Sequence, residues 1–278
     1  MTTLKMSSPQ LTFYDLGSEV VAFSSTRHGG VSTGNYASFN INAYCGDDAA
    51  SIAANRCSLA ALLDIPERHI IMPHQTHSTH VCRIDVPPQS VIEDTDVLMT
   101  DVPQLCIGVS TADCIPVLLY DASHHAVCAV HAGWRGTQQR VVQVAVRAMT
   151  KAYGTSPDSL RAVIGPGISL DCFEVGDEVY DAFAAAGFDM PTIARQMPFH
   201  GQTKWHIDLW TCNRQQLTQI GVPNGQIRTA GICTYQHSDD FFSARRLGIN
   251  SGRIFSAIMM KAPNTRCGVT GSDPSGHR

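Results

Sequence analysis

The chain has 278 residues, 44% of them hydrophobic and 16% charged, with a formal net charge of −4, which suits a globular protein able to bury a sizeable core. It shows no basic excess and no clustered Lys/Arg stripe, which argues against a nucleic-acid partner. The longest apolar runs, CIPVLLY and AVCAVHAGW, are strand-sized rather than membrane-spanning. The N-terminus, MTTLKMSSPQLTFYDL, lacks the apolar core of a secretory signal, so a cytoplasmic location is expected.

In chain order, VVAFSST reads as a strand and DAASIAANRCSLAALLD as a helix whose first turn is marked by the acids of GDD. The segments HVCRI, DVLMT, LCIGVST, CIPVLLY and AVCAVHA follow as closely spaced strands. TQQRVVQVAVRAMTKAYG has helical spacing and ends at Gly154, where a left-handed cap is expected. SPDSL offers Ser and Asp as capping residues ahead of RAVIGP, a further strand. GDEVYDAFAAAG and DLWTCNRQQLTQIG are helical, and RIFSAIMM closes the series as a strand. Strands that arrive both consecutively and separated by helices indicate an α+β fold, with mixed β-sheets forming a sandwich-like core flanked by helices. With no repeat and no interior linker, one domain over residues 1–262 is expected, followed by a loosely ordered polar tail over 263–278.

Ten cysteines are present without a C-x-x-C pair, so reduced thiols are the expected state, most of them small buried hydrophobes such as Cys82, Cys106, Cys128 and Cys233. Cys114 stands apart. If CIPVLLY and AVCAVHA form an antiparallel hairpin turning between Ala122 and Ser123, facing residues have numbers that sum to 245. Cys114 then faces His131, Pro116 faces Ala129 and Leu118 faces Val127. Facing side chains start about 4.5–5.5 Å apart at Cβ, a spacing compatible with a thiolate and an imidazole on one zinc ion.

IMPHQTHSTHV offers the missing nitrogen, from His74, His77 or His80, and spacing alone does not choose among them. Three protein ligands with one position left for water make the catalytic form of a zinc site, whereas a structural site would use four.

HQTHSTHV, TADCIPVLLYD and AVHAGWRGT resemble the motifs of the laccase-domain family, also called the purine nucleoside phosphorylase or peptidoglycan editing factor family. The likeness extends to STRHGGVSTGNYASFNINAYCGDD, Asn55-Arg56, DVLMTD, IGPGISLDCFEVGDEV, KWHIDLW, GICTYQHSDDFFSARR and Gly252-Arg253. This resemblance implies zinc held by His77, Cys114 and His131, with His74 and His80 left as pocket-wall or surface residues. Ser78 stands where the family commonly has Gly. The resemblance also implies a mixed-sheet α/β fold, phosphorolysis of adenosine, inosine, guanosine and methylthioadenosine, and deamination of adenosine. Purine nucleosides and phosphate would be the small-molecule partners of a monomer or weak homodimer.

Zinc in an open site can supply hydroxide near neutral pH, and Asp113 beside Cys114 is the candidate proton shuttle. Arg27, Arg56 and Arg135, in loop-like motifs, are the candidate phosphate forks. Ser38 and Asn40 are candidate ribose or loop-ordering groups. Three other readings use the same residues. A His2Cys set can hold copper, although a multicopper oxidase needs many more ligands. Cys114 and His131 could act as nucleophile and base of a metal-free hydrolase. An editing role in peptidoglycan synthesis is the third.

Overall fold

The computed structural model describes residues 8–199 and 201–262. The polar tail expected over 263–278 lies outside the described residues. The strands run β1 (Leu11–Tyr14), β2 (Val20–Ser25), β3 (Ile70–Ile71), β4 (Val81–Arg83), β5 (Val97–Thr100), β6 (Cys106–Thr111), β7 (Ile115–Asp121) and β8 (Ala126–Ala132). They continue with β9 (Leu160–Ile164), β10 (Glu174–Val175), β11 (Ala194–Phe199), β12 (Gln202–Ile207), β13 (Ile227–Thr229) and β14 (Ile254–Met260). The α-helices are α1 (Ala49–Leu63), α2 (Trp134–Gln138), α3 (Val141–Tyr153), α4 (Asp177–Ala185), α5 (Met190–Ile193), α6 (Leu209–Gln219) and α7 (Ala244–Leu247).

Two large mixed sheets pack face to face. One has the order β1-β2-β14-β6-β3 and the other β13-β9-β7-β8-β5-β4, while β10-β12-β11 form a small third sheet. The shared interior joins Ala22, Ile107, Val109 and Ile258 of the first sheet to Leu98, Leu118, Ala129 and Val163 of the second. On the outer face of the second sheet, Val117, Cys128 and Val130 meet α3 and α6. On the outer face of the first, Phe23 and Phe255 meet Leu59 and Ala60 of α1. Both faces of β7 and β8 are therefore covered, and every residue of the two strands is buried, which is why they read as unbroken apolar runs. The expected α+β sandwich flanked by helices is the fold observed. Among the described residues, no helix is long and apolar enough to cross a membrane.

Local chemistry accounts for the element ends. Asp48 caps α1 by accepting the amide of Ser51 at 2.8 Å, and Gly154 ends α3 in the left-handed region at φ 77°, as its position predicts. α3 buries Val141, Val142, Ala145, Val146 and Met149, a stripe at helical spacing turned to the sheet. The expected single helix over 137–154 is broken: α2 ends at Gln138, and Arg140 at φ 64° turns the chain into α3. SPDSL forms a 3-10 turn at Pro157–Ser159 with no side-chain cap, and RAVI continues as β9.

The hairpin register differs from the expected one by two residues. β7 and β8 pair with numbers that sum to 247, so His131 faces Pro116 and Ala129 faces Leu118. The cause is a four-residue turn, Ala122 to His125, with His125 at φ 48° and the buried Asp121 carboxylate accepting the Ser123 amide at 2.9 Å. Strand side chains alternate with period two, so an even shift keeps each residue on its expected face. Cys114 lies just before β7, diagonal to His131 instead of directly opposite it.

Candidate metal centre and active-site cavity

Two of the three segments that carry the candidate ligands are places where the chain changes sheets. Residues 72–80 cross from β3 in the first sheet to β4 in the second, and residues 112–114 cross from β6 to β7. The crossings meet at one end of the sandwich. There His77, Cys114 and His131 place one donor atom each within 4.8 Å of one another, making them the group of at least three potential metal donors found among the described residues. Cys114 Sγ is 3.7 Å from His77 Nε2, and the rings of His77 and His131 meet edge to face at 4.8 Å.

A buried carboxylate organises the three. Asp96 Oδ1 lies 2.6 Å from His131 Nδ1 and accepts the amide of His77 at 3.1 Å. Its Oδ2 accepts the amides of Thr76 at 3.2 Å and Ser78 at 2.7 Å, and the Ser78 hydroxyl at 2.7 Å. The Ser78 hydroxyl thus adds one more hydrogen bond to this carboxylate. Because a carboxylate only accepts, Nδ1 of His131 carries the proton and Nε2 remains as the donor atom of the triad. Burial raises the Asp96 carboxyl, but the hydrogen bond and charge of His131 and the bonds from Ser78 outweigh it, leaving its pKa lowered. Burial likewise raises the Cys114 thiol, yet His131 and then His77 reverse the sign and the thiol is lowered toward the thiolate. For His131, burial lowers the pKa, and the charge of Cys114 together with Asp96 raises it further than burial depresses it.

The backbone around the ligands is as constrained as the side chains. His77 and Asp113 have φ 64° and 89°, a region that costs a non-glycine residue roughly 1–2 kcal/mol and persists only where surroundings over-determine it. Gln75 supplies part of that determination. Its Nε2 donates to the Ser110 carbonyl at 2.9 Å and its Oε1 accepts the Ser110 amide at 2.7 Å, so a side-chain amide does for β6 what a neighbouring strand would do. Gly133 supplies more: a Cβ there would lie 2.6 Å from His77 Cδ2 and 3.1 Å from Cys114 Sγ.

The triad opens into a cavity of about 340 Å³ whose lining includes Asn42, Tyr44, His74, Thr111, Ile249 and Arg253. Thr111 is 1% exposed, and its hydroxyl has no hydrogen-bond partner. Arg253 donates to the carbonyls of Ser251 at 2.6 Å, Gly252 at 3.0 Å and Ile249 at 2.9 Å, and Asn40 Oδ1 accepts its amide at 3.1 Å. Neither Thr111 nor Arg253 was among the residues singled out from the sequence as substrate-binding; Gly252-Arg253 entered only as a motif of the resemblance.

The other candidates from the sequence lie elsewhere. Arg27 donates to the carbonyls of Ala37 at 2.8 Å and Ser238 at 2.7 Å. Arg56 is bound to Glu67 and to the Ile70 carbonyl, and exposed Arg135 lies over the ring of Trp134 at 4.3 Å. None of the three lines the triad's cavity. Ser38 bridges the Gly30 amide and the Arg27 carbonyl. Asn40 is buried against Asp47 at 2.9 Å and orders the loop. The Asp113 carboxylate accepts the Thr234 hydroxyl and the Arg245 amide, both at 2.7 Å, and so caps α7 outside the cavity lining. His74 is on the cavity wall, while the side chain of His80 is 64% exposed beside Asp94. The nine cysteines among the described residues are all free thiols.

The donor set suits a metal. Two imidazoles and a thiolate whose lowered pKa favours the ligating form are typical of zinc and also serve copper. The model of the family described as Multi-copper polyphenol oxidoreductase laccase matches residues 21–261. A Bacteroides thetaiotaomicron protein described as purine nucleoside phosphorylase is 48% identical over 252 residues, covering 87% of this chain and 92% of its own length. Adenosine deaminase RL5, from an unknown prokaryotic organism, is 41% identical over 250 residues, with 87% of this chain and 94% of that protein covered. The crystal structure of Bacillus licheniformis hypothetical protein YfiH superposes with a TM-score of 0.82 at 31% identity, over 87% of this chain and 93% of that one. With the family's match running through both crossings and both large sheets, the chain belongs to this laccase-like family.

Proposed function

We propose that the chain is a zinc-dependent purine nucleoside enzyme that carries out phosphorolysis of adenosine, inosine, guanosine and methylthioadenosine, and deaminates adenosine. The observation that carries this reading is the triad of His77, Cys114 and His131 at the floor of a nucleoside-sized cavity. Relatives described as purine nucleoside phosphorylase and adenosine deaminase support it. Multicopper oxidation is disfavoured, because it needs several such ligand groups and this is the one present among the described residues.

The three residues would hold the ion, and a zinc held there acts as a Lewis acid and activates water near neutral pH. The remaining work belongs to the chain. Asp96 keeps the proton on His131 Nδ1 and fixes the ring's orientation. Arg253 is the one Arg or Lys in the cavity lining and gives phosphate its positive partner. Thr111 offers a buried hydroxyl that gains its missing hydrogen bond from a substrate oxygen. In this reading Arg253 takes the role of phosphate fork that the sequence assigned to Arg27, Arg56 and Arg135, none of which lines the cavity.

The lowered Cys114 thiol also favours a second reading, a metal-free hydrolase with Cys114 as nucleophile and His131 as base. Incubating metal-quantified protein with adenosine, with and without phosphate, separates the readings. Adenine and ribose-1-phosphate appearing only with phosphate, inosine in either case, and loss of both on chelation is the expected result. Turnover that survives complete metal removal would favour the thiol enzyme. Inactivity of the zinc-loaded protein on every nucleoside would overturn both and favour an editing role in cell-wall synthesis.

A further inference from the structure

Away from the metal centre, Cys172 and Cys233 bring two thiols together from distant parts of the chain. Cys172 ends the 3-10 turn Leu170–Cys172, and its thiol is in hydrogen-bond contact with Ser169 and with Cys233. Cys233 Sγ in turn accepts the Ser169 amide at 3.3 Å and the Ser169 hydroxyl at 3.1 Å. The backbones that carry the thiols are fixed to each other. Cys233 pairs with Gly167 in a parallel bridge, in which the Gly167 amide donates to the Ile232 carbonyl and the Thr234 amide to the Gly167 carbonyl, both at 3.1 Å. The Cys172 amide donates to the Ser169 carbonyl at 3.0 Å and closes the turn. Access differs between the two thiols: Cys172 is half-buried, whereas Cys233 is 3% exposed. A reachable sulfur beside an enclosed one is the arrangement in which the first meets an oxidant and the second resolves the product.

We propose that Cys172 and Cys233 form a reversible dithiol–disulfide site, oxidised by a low-molecular-weight disulfide such as oxidised glutathione, and that the bond staples the turn at 169–173 to the segment around Cys233. The site goes beyond the nucleoside chemistry and does not depend on it. The Cys172 thiolate attacks one sulfur of oxidised glutathione, whose S–S bond breaks, and the departing glutathione thiolate takes up the proton that Cys172 released. Cys233 then gives up its proton and attacks the Cys172 sulfur, expelling the second glutathione as a thiol. Two protein thiols are oxidised and one disulfide is reduced to two thiols, so atoms and electrons balance. Burial raises the Cys172 thiol, which makes the first step slow at neutral pH. Closing a long loop of chain restricts the unfolded state, so the oxidised form is the more stable one. Thr234, next to Cys233, donates to the Asp113 carboxylate at 2.7 Å, so the staple lies one hydrogen bond from the segment that carries Cys114.

The test is to incubate the zinc-loaded full chain with excess oxidised glutathione, block the remaining thiols, and map the peptides by mass spectrometry beside a thermal melt. A peptide pair linked through Cys172 and Cys233 is expected, with a melting temperature raised by about 4 °C or more. Dithiothreitol should reverse both. Cys233→Ser should stop at the first step and carry glutathione on Cys172, whereas Cys172→Ser should give neither the linked pair nor the rise in melting temperature. Exposed Cys57 on α1 reports whether the oxidant has acted. No linked pair in wild type once Cys57 carries glutathione, a link that leaves the melting temperature unchanged, or a Cys233→Ser protein with Cys172 unmodified each overturns the proposal.

Discussion

A single oxygen, Asp96 Oδ1, meets both histidines of the triad: it is 2.6 Å from His131 Nδ1 and accepts the His77 amide at 3.1 Å. One carboxylate therefore orients a ring through its side chain and a loop through its backbone. Asp96→Asn should lower zinc affinity by about 10–100-fold, as loss of an outer partner of a ligating histidine generally does. Competition against a chromophoric chelator measures this, and wild-type affinity in a folded variant would remove Asp96 from the centre's machinery.

Gly133 tests the close packing of the ligands. Its φ of −65° suits alanine, so Gly133→Ala brings no backbone penalty, but the new methyl would press on His77 and Cys114. The expected outcome is a folded protein with substoichiometric zinc, read by elemental analysis beside circular dichroism. Full zinc occupancy would mean that the two ligands yield easily.

Arg253→Lys should weaken phosphorolysis more than deamination, because an ammonium cannot reproduce a guanidinium fork and deamination uses no phosphate. With adenosine as substrate, the product ratio should move from adenine toward inosine at constant zinc content. Losses of the two activities in equal proportion would place Arg253 in loop support alone.

Thr111→Val removes a hydroxyl that has no partner and keeps the side chain's shape. Its stability should equal or exceed that of the wild type, while KM for nucleoside or phosphate rises by about 3–10-fold from one lost hydrogen bond. A thermal melt and steady-state kinetics on the same preparation are sufficient. A destabilised variant with normal KM would contradict the assignment.

Asp121 sets an acid limit on stability. It is buried, and although burial raises its pKa, hydrogen bonds from neighbouring side chains, His124 among them, and from the amides of Ser123 and His124 leave the pKa lowered. A carboxyl lower in the folded than in the unfolded chain contributes stability that is complete above its unfolded value and is lost as pH falls through the folded one. Asp121→Asn should therefore lower the melting temperature at about pH 6, and the gap to wild type should shrink steadily toward about pH 2. A gap that stays constant with pH would show that the charge is immaterial.

The layout of the protein was legible in apolar runs, because strands covered on both faces leave an unbroken signal, as in CIPVLLY and AVCAVHA. The short strands β10 and β13 left none. The face shared by Cys114 and His131 was legible although the register was not: an odd slip would have put one of them on the wrong side, whereas the turn fixed by Asp121 and His125 shifts the pairing by two. Asp96 had a signal that went unread, a charge heading the wholly buried strand VLMT. That Arg27 and Arg56 lie outside the cavity lining could not be read from sequence, because it depends on where segments far apart in the chain are placed. Thr111 and Arg253 become neighbours in one lining only after β6 and the loop before β14 are placed.

The Gln75 amide that completes the edge of β6 makes the docking of the histidine loop observable without any metal. The Ser110 amide donates to a side chain that leaves when the loop leaves, whereas the amides deeper in the sheet donate to strand partners and are released only by larger openings. Deuterium uptake at Ser110 therefore reports the resting population of undocked loop. Comparing that rate before and after zinc is added would measure how much of the ion's binding free energy is used to hold the loop in place.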